Sequence, residues 1–263
     1  MADTVKGRLT PKNRIALAGI ELEGGWHKNP PNPVVHDGSV KFPSPRNKPQ
    51  PLFSTEDEQR AWLTAERARL AQFQFKAVGE IVSPPLKAEA ETVEAFIKEN
   101  YPSAVNDTCG LHVHMSFTHK RNYNRLMTPE FTKAMVDGLR KWAAEEGLKK
   151  DHPLMARIMN PDHPHCAHTY CGEEQVKATS KDFHSRGKPN SRYTAINYCF
   201  NQHQTVECRL LCMMDTPEQA CRAVLEVLAI TNRFLAKVRT RELKQAIAIP
   251  KGQHSVSRYR VTV

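Results

Sequence analysis

Short runs of period-two patterning alternate along this chain with longer runs of helical period. Arg14–Glu23 (RIALAGIELE) is apolar and then alternates, which predicts a strand closed by a glycine turn at Gly24-Gly25. Pro30 to Pro51 holds seven prolines around an extended island, Val34 to Val40, and is expected to be a loop because proline fixes φ and removes backbone donors. Ser54-Thr55-Glu56-Asp57-Glu58 is a capping residue followed by an acidic first turn, so a helix is expected from there to about Gln72. Phe73–Val82 reads as a strand stopped by Pro84-Pro85, and Ala88–Asn100 as a helix ended by Tyr101-Pro102. Cys109–Phe117 is close to alternating, a strand again. Thr128-Pro129-Glu130 opens a helix to about Glu146, with proline at the favoured first position. Residues 160–190, rich in His, Pro, Gly and Lys, are expected to be irregular. Tyr193–Phe200 and Gln204–Met213 form a candidate hairpin, and Thr216-Pro217-Glu218 starts the longest helix, to about Glu242. The pattern predicts an α+β fold in a single domain over residues 1–263. Within it lie a proline-rich and helical insert at about 41–72 and a basic tail at about 250–263.

Composition narrows the class. With 263 residues, 40% hydrophobic and 25% charged, the chain can bury a sizeable core. No run of eighteen apolar residues is present, which argues against a membrane-spanning helix, and the N-terminus lacks the apolar stretch of a secretory signal. The seven cysteines are odd in number and scattered, and Cys199, Cys208, Cys212 and Cys221 fall in apolar segments. That is how small buried hydrophobes behave in a reducing compartment, so a cytoplasmic location is expected. A net charge of +10 implies attraction to anions without choosing among nucleic acid, nucleotides and acidic substrates.

The candidate chemistry lies on the strands. Glu21 and Glu23, His112 and His114, and Glu207 and Arg209 stand two residues apart, so each pair points to one face of its strand. Their neighbours Ile20, Leu22, Val113, Val206 and Cys208 point to the other. Glu80 is a fourth carboxylate in an apolar run, beside Val78, Ile81 and Val82. Ionised carboxylates there cost several kcal/mol to desolvate unless paired or metal-bound. Taken singly, each pair is more simply a solvated face or a hydrogen-bonded histidine. Together they predict an acidic cluster with imidazole, suited to Mg²⁺ or Mn²⁺, and an arginine placed for phosphate.

These residues resemble a family. In order along the chain stand Gly19-Ile20-Glu21-Leu22-Glu23, Val35-His36-Asp37-Gly38-Ser39-Val40, and Gly79-Glu80-Ile81-Val82-Ser83-Pro84-Pro85-Leu86. Cys109-Gly110-Leu111-His112-Val113-His114, Arg192-Tyr193-Thr194-Ala195-Ile196-Asn197 and Thr205-Val206-Glu207-Cys208-Arg209 follow. This series is similar to the ordered motifs of the amidoligases, carboxylate–amine ligases similar to glutamine synthetase and glutamate–cysteine ligase. The resemblance implies a curved antiparallel sheet of glutamine synthetase-like type that binds ATP and divalent metal. It implies an acyl-phosphate formed from a carboxylate substrate and displaced by an amine acceptor to give an amide. On the matching positions, Glu21, Glu23, Glu80, His112 and Glu207 are the expected metal ligands. Arg209, Glu80, His114 and Arg192 are the expected catalytic residues, and Arg209, Asn197, Asp37 and Ser39 the expected contacts to ATP. The stretch between Asp37-Gly38-Ser39 and Glu80 is longer than the family pattern, a lid or a specificity insert. Independently of the resemblance, phosphoryl transfer asks for metal-holding carboxylates and a fixed cation, and no Walker loop is present to hold ATP otherwise.

Two further features compete. His163, His165, Cys166, His168 and Cys171 offer ligand types that suit zinc, but no second separated ligand pair accompanies them, and a histidine-rich loop over the site is the simpler expectation. His119-Lys120-Arg121-Asn122-Tyr123-Asn124-Arg125 and Arg258-Tyr259-Arg260 interleave basic and aromatic residues, as nucleic-acid contacts do. The alternative function is accordingly a nucleic-acid-associated protein, or a ligase acting on a modified base or tRNA.

Overall fold

The strand-period segments pair into a six-stranded antiparallel sheet that does not close on itself. The computed structural model describes residues 14–42, 51–52, 54–71, 74–177 and 190–248. Strands β1 (Leu17–Trp26), β2 (Ala77–Val82), β3 (Leu86–Lys87), β4 (Gly110–Ser116), β5 (Ile196–Cys199) and β6 (Thr205–Cys212) form it. Their order is β2-β1-β4-β6-β5, with β3 also pairing β1. The helices are α1 (Glu56–Ala71), α2 (Ala90–Asn100), α3 (Lys120–Leu126), α4 (Pro129–Glu145), α5 (Pro153–Met159), α6 (Gly172–Lys177), α7 (Phe200–His203) and α8 (Pro217–Ala248). The basic tail expected at about 250–263 lies outside the described residues, as do residues 43–50, 53 and 72 of the expected insert.

Alternation along the strands separates a core face from a polar face. Ile20, Leu22, Ile81, Leu111, Val113, Met115, Val206 and Cys208 are fully buried on the first. Helices α2 and α8 cover that face, with α4 packed on α8; Thr231 of α8 donates to the Met115 sulfur at 3.3 Å. The α4 start follows its sequence signal: Thr128 Oγ1 accepts from Phe131 N at 3.3 Å, and Pro129 needs no partner for a missing N–H. Phe131, Met135, Leu139 and Trp142 then recur at helical spacing and are all buried, each contributing roughly 1.5–3 kcal/mol.

Several sequence expectations are corrected. β1 does not end at Gly24-Gly25; these glycines pair with Gly79 and Val78 of β2. They are there for close approach, since a Cβ at Gly24 would lie 2.4 Å from Pro102 Cβ, and one at Gly25 would lie 2.7 Å from the Phe75 ring. The candidate hairpin, by contrast, forms as the antiparallel pair β5–β6, joined by the short helix α7 closed by Gln204 in the left-handed region (φ 54°). Helices α3, α5 and α6, each about two turns or less, are additional, and α8 runs on past Glu242 to Ala248.

The proline-rich stretch through Phe42 is a loop strapped to the body. Asn32 Nδ2 donates to Asn100 Oδ1 at 2.8 Å, and Asn106 Nδ2 to Lys41 O at 2.8 Å. Between them Val35 bridges the outer edge of β2, exchanging both hydrogen bonds with Glu80 at 2.8 and 2.9 Å. Gly79 makes this crossing feasible: its φ is +153°, and a Cβ would stand 2.0 Å from Val35 O. Gly79→Ala is expected to cost about 1–3 kcal/mol and to detach Val35. Chemical denaturation and hydrogen exchange at the Glu80 and Val35 amides measure both effects; unchanged protection there would refute the clamp.

Candidate functional site

Cross-strand register stacks the polar pairs beside one another. On the polar face Glu21 stands opposite His112, Glu23 opposite Glu80, and Glu207 opposite both His114 and Asn197. A bulge adds Arg209. Between the pairs Leu111–Leu211 and Val113–Cys208, His112 alone faces Arg209 and Leu210, so β6 carries one extra residue there. Such a bulge bends the strand and re-aims side chains.

The resulting cavity, of about 210 Å³, is lined by Glu21, Asp37, Glu80, His112, His114, Arg192, Asn197, Glu207 and Arg209, together with Cys199 and His203. Nine residues expected from sequence thus meet in one place. Two do not line it. Ser39 is exposed, and its N–H donates to Asp37 Oδ1 at 2.7 Å, closing a local turn. Glu23 is buried beneath the cavity, where it accepts from the Gly110 N–H and lies 3.7 Å from His112 Nε2.

Charge is arranged in a tight network. Glu21 meets His112 Nδ1 and His114 Nε2, each at 2.9 Å. Burial works to raise the Glu21 carboxyl, but these two histidine hydrogen bonds override it and hold it well below the usual carboxylate range. Burial disfavours charge on His114 as well, yet Glu207 and Glu21 bring it up to about 9. Its other nitrogen, Nδ1, faces Thr205 Oγ1 at 3.2 Å. Arg209 Nη1 donates to Glu207 Oε1 at 2.6 Å. Burial would raise Glu207, but Arg209 and His114 pull it down to about 2. Arg209 Nε is buried and makes no hydrogen bond among the described residues.

Glu80 behaves in the opposite way: burial, then the charges of Glu21, Asp37 and Glu23, push it up to about 7. Two sets of donor atoms, Glu21–His114–Glu207 and Glu23–Asp37–Glu80, each lie within 4.8 Å of one another. The first is largely neutralised by Arg209 and the imidazoles. The second has no arginine or lysine hydrogen-bonded to it among the described residues, and Glu80, raised by burial first and by neighbouring carboxylates second, is a group whose ionised form a divalent cation would favour. Oxygen-rich donors of this kind fit a hard ion such as Mg²⁺ or Mn²⁺.

Behind the cavity stand residues the sequence did not flag. Gln175, fully buried on α6, donates from Nε2 to Asn197 Oδ1 at 2.9 Å and accepts from Tyr198 N. This fixes the Asn197 amide so that Nδ2 donates to Glu207 Oε2 at 2.9 Å and to Arg192 O at 2.7 Å. Buried Arg157 of α5 donates to Leu211 O at 2.8 Å and, at 3.4 Å, to Arg209 O and Cys109 O, tying down the β6 bulge. A lone glutamine in an irregular stretch and an arginine on a short helix carry no periodic signal.

The competing features separate. In the 163–171 loop, Cys166 Sγ contacts His163 Nδ1 at 3.3 Å and His168 Nε2 lies 2.9 Å from Arg157 O, so these groups are committed to holding the loop. His165 packs edge-on against Tyr193, beside Arg192 of the cavity wall. All seven cysteines are free thiols, six of them buried. In the 119–125 cluster, Asn122 and Tyr123 face the core; Tyr123 donates to Gln204 O and packs edge-to-face against Phe117, which removes the aromatic platform expected for base stacking. Arg258-Tyr259-Arg260 lies outside the described residues. No helix among the described residues is long and apolar enough to cross a membrane. Comparison with protein-family models, with curated proteins and with solved structures returns no match.

Proposed function

We propose that this chain is an ATP- and Mg²⁺-dependent carboxylate–amine ligase. In this reading the γ-phosphoryl group of ATP passes to a substrate carboxylate oxygen, giving an acyl-phosphate and ADP. The amine nitrogen then attacks the acyl carbon, the carbon–oxygen bond to phosphate breaks, and the nitrogen gives up a proton to form the amide. One observation carries the reading: two carboxylate-rich donor groups, all of whose members but the underlying Glu23 line one cavity, meet there a guanidinium fixed by Glu207 whose Nε has no hydrogen-bond partner among the described residues. The six ordered motifs support it from the sequence side.

Mg²⁺, when bound, would neutralise phosphate oxygens and bring the anionic reactants together. Glu23, Asp37 and Glu80 are the residues best suited to hold it, with Glu21, His114 and Glu207 as the second donor group. Arg209 is preorganised, since Glu207 holds Nη1 and the bulge holds its backbone, so it meets a developing negative charge without reorganising. Arg192 lies on the same wall, close to Asn197.

Calorimetric titration of ATP, with and without Mg²⁺, tests this on the wild type and on Arg209→Gln. Binding is expected only with Mg²⁺, weakened roughly ten- to a hundredfold by the substitution, as loss of a charged hydrogen bond predicts. Absence of ATP binding by the wild type under either condition would end the ligase reading.

A further inference from the structure

Past the wall formed by Glu21 and His114, the polar face of the sheet continues into a second chamber of about 440 Å³. That lies within the range of about 300–1,000 Å³ typical of small-molecule pockets. The two cavities share Glu21, His114 and His203 in their linings, so they lie on either side of the same side chains. Their linings differ. The alternation that puts Glu21 and Glu23 on this face of β1 also puts Leu17 and Gly19 there, and Val82 shares the face of Glu80 on β2. Leu17 is 40% exposed and Val82 47% exposed, among the few large apolar side chains so placed. Pro85 adds a third apolar surface.

The hydroxyls in the lining are already engaged. Ser83 Oγ accepts from Ile20 N at 2.9 Å, Ser116 Oγ donates to Leu17 O at 3.4 Å, and Thr205 Oγ1 meets His114 at 3.2 Å. Among the described residues the lining holds no lysine or arginine, and Glu21, at the inner end, is its one carboxylate. His114 is committed through both ring nitrogens, to Glu21 and to Thr205. A ligand with a carboxylate would meet no lysine or arginine here, only the imidazoles of His114 and His203, and a diamine would find no acid at the outer end. A single ammonium group on an apolar body matches both: each Glu21 oxygen accepts one histidine hydrogen bond and has a lone pair left for another donor.

We propose that this chamber is a subsite for a primary amine with an apolar alkyl or aryl body, its amino group at Glu21 and its hydrocarbon along Leu17, Val82 and Pro85. That this amine is the acceptor of the ligation rests on the ligase reading; the binding preference itself does not.

Titrating the full chain at neutral pH with n-propylamine through n-hexylamine tests it. Affinity is expected to rise about fourfold per methylene, the factor for burying a CH₂ group. Leu17→Gln and Val82→Gln should flatten that rise; both side chains are well exposed, and thermal melting checks that the fold is kept. Hexanoate or 1,6-diaminohexane binding as tightly as n-hexylamine, or affinity independent of chain length, would overturn the assignment. So would unaltered n-hexylamine binding by both variants. The Mg²⁺·ATP titration of the wild type decides the ligase reading separately. An intact amine series without ATP binding would uphold the site but not its role as acceptor subsite.

Discussion

Glu207→Ala is expected to lower the unfolding free energy by about 3–5 kcal/mol, the cost of leaving a buried charge without its partner. Glu207 is 4% exposed, and its two oxygens accept from Arg209 Nη1 and Asn197 Nδ2 while lying 3.7 and 3.9 Å from the imidazoles of His112 and His114. Removing it strands the Arg209 guanidinium in a low-dielectric wall and leaves the Asn197 amide, held in place by Gln175, with one donor bond fewer. Urea denaturation with a linear extrapolation reads the loss. A change below about 1 kcal/mol would show that the arginine finds another partner, and the preorganisation argued for the cavity would fall with it.

Arg157→Met should cost about 3 kcal/mol although the residue lines neither cavity. The residue is 3% exposed, and the guanidinium's partners are backbone carbonyls of Cys109, Arg209 and Leu211, with no carboxylate ion pair among the described residues. Methionine fills the space but removes the guanidinium donor from the Arg209 and Leu211 carbonyls at the bulge, while Cys109 O keeps its bond from Met213 N. Mg²⁺·ATP binding is expected to weaken as well, because Arg209 sits in the bulge that Arg157 ties. Arg157→Lys should restore only part of either quantity, since an ammonium cannot fork between two strands. A variant as stable as the wild type and unchanged in ATP affinity would reduce Arg157 to a filler of space.

Much of this arrangement is legible in the chain, because period-two alternation fixes which side chains share a face before any pairing is known. Glu21, His112, His114, Glu207 and Arg209 are assigned a common side by spacing alone, and the register then brings them together. What spacing does not contain is the third dimension. Gly24-Gly25 looks like a turn because glycine permits one, yet here it admits Pro102 and Phe75 against the strand. Tyr123 looks like a stacking platform among arginines, but on a seven-residue helix its side faces the core. Gln175 is invisible because its role exists only through Asn197, and Ser39 misleads because its backbone, rather than its hydroxyl, makes the contact to Asp37.

The Val35 bridge has a counterpart on the other side of the sheet. Ala167 takes the backbone positions beside the start of β5, receiving Ala195 N at 2.7 Å and donating to Tyr193 O at 2.8 Å. Open sheet edges are templates for intermolecular pairing, and here one loop bridges β2 at Glu80 and another bridges the chain just before β5 at Thr194, the first bearing Asp37 and the second His163 to His168. Substrate preference and colloidal behaviour are therefore written into the same few residues. Exchanging either loop wholesale to alter specificity would unmask a strand edge and invite aggregation. Varying side chains while keeping the backbone contacts of Val35 and Ala167 would leave the edges covered.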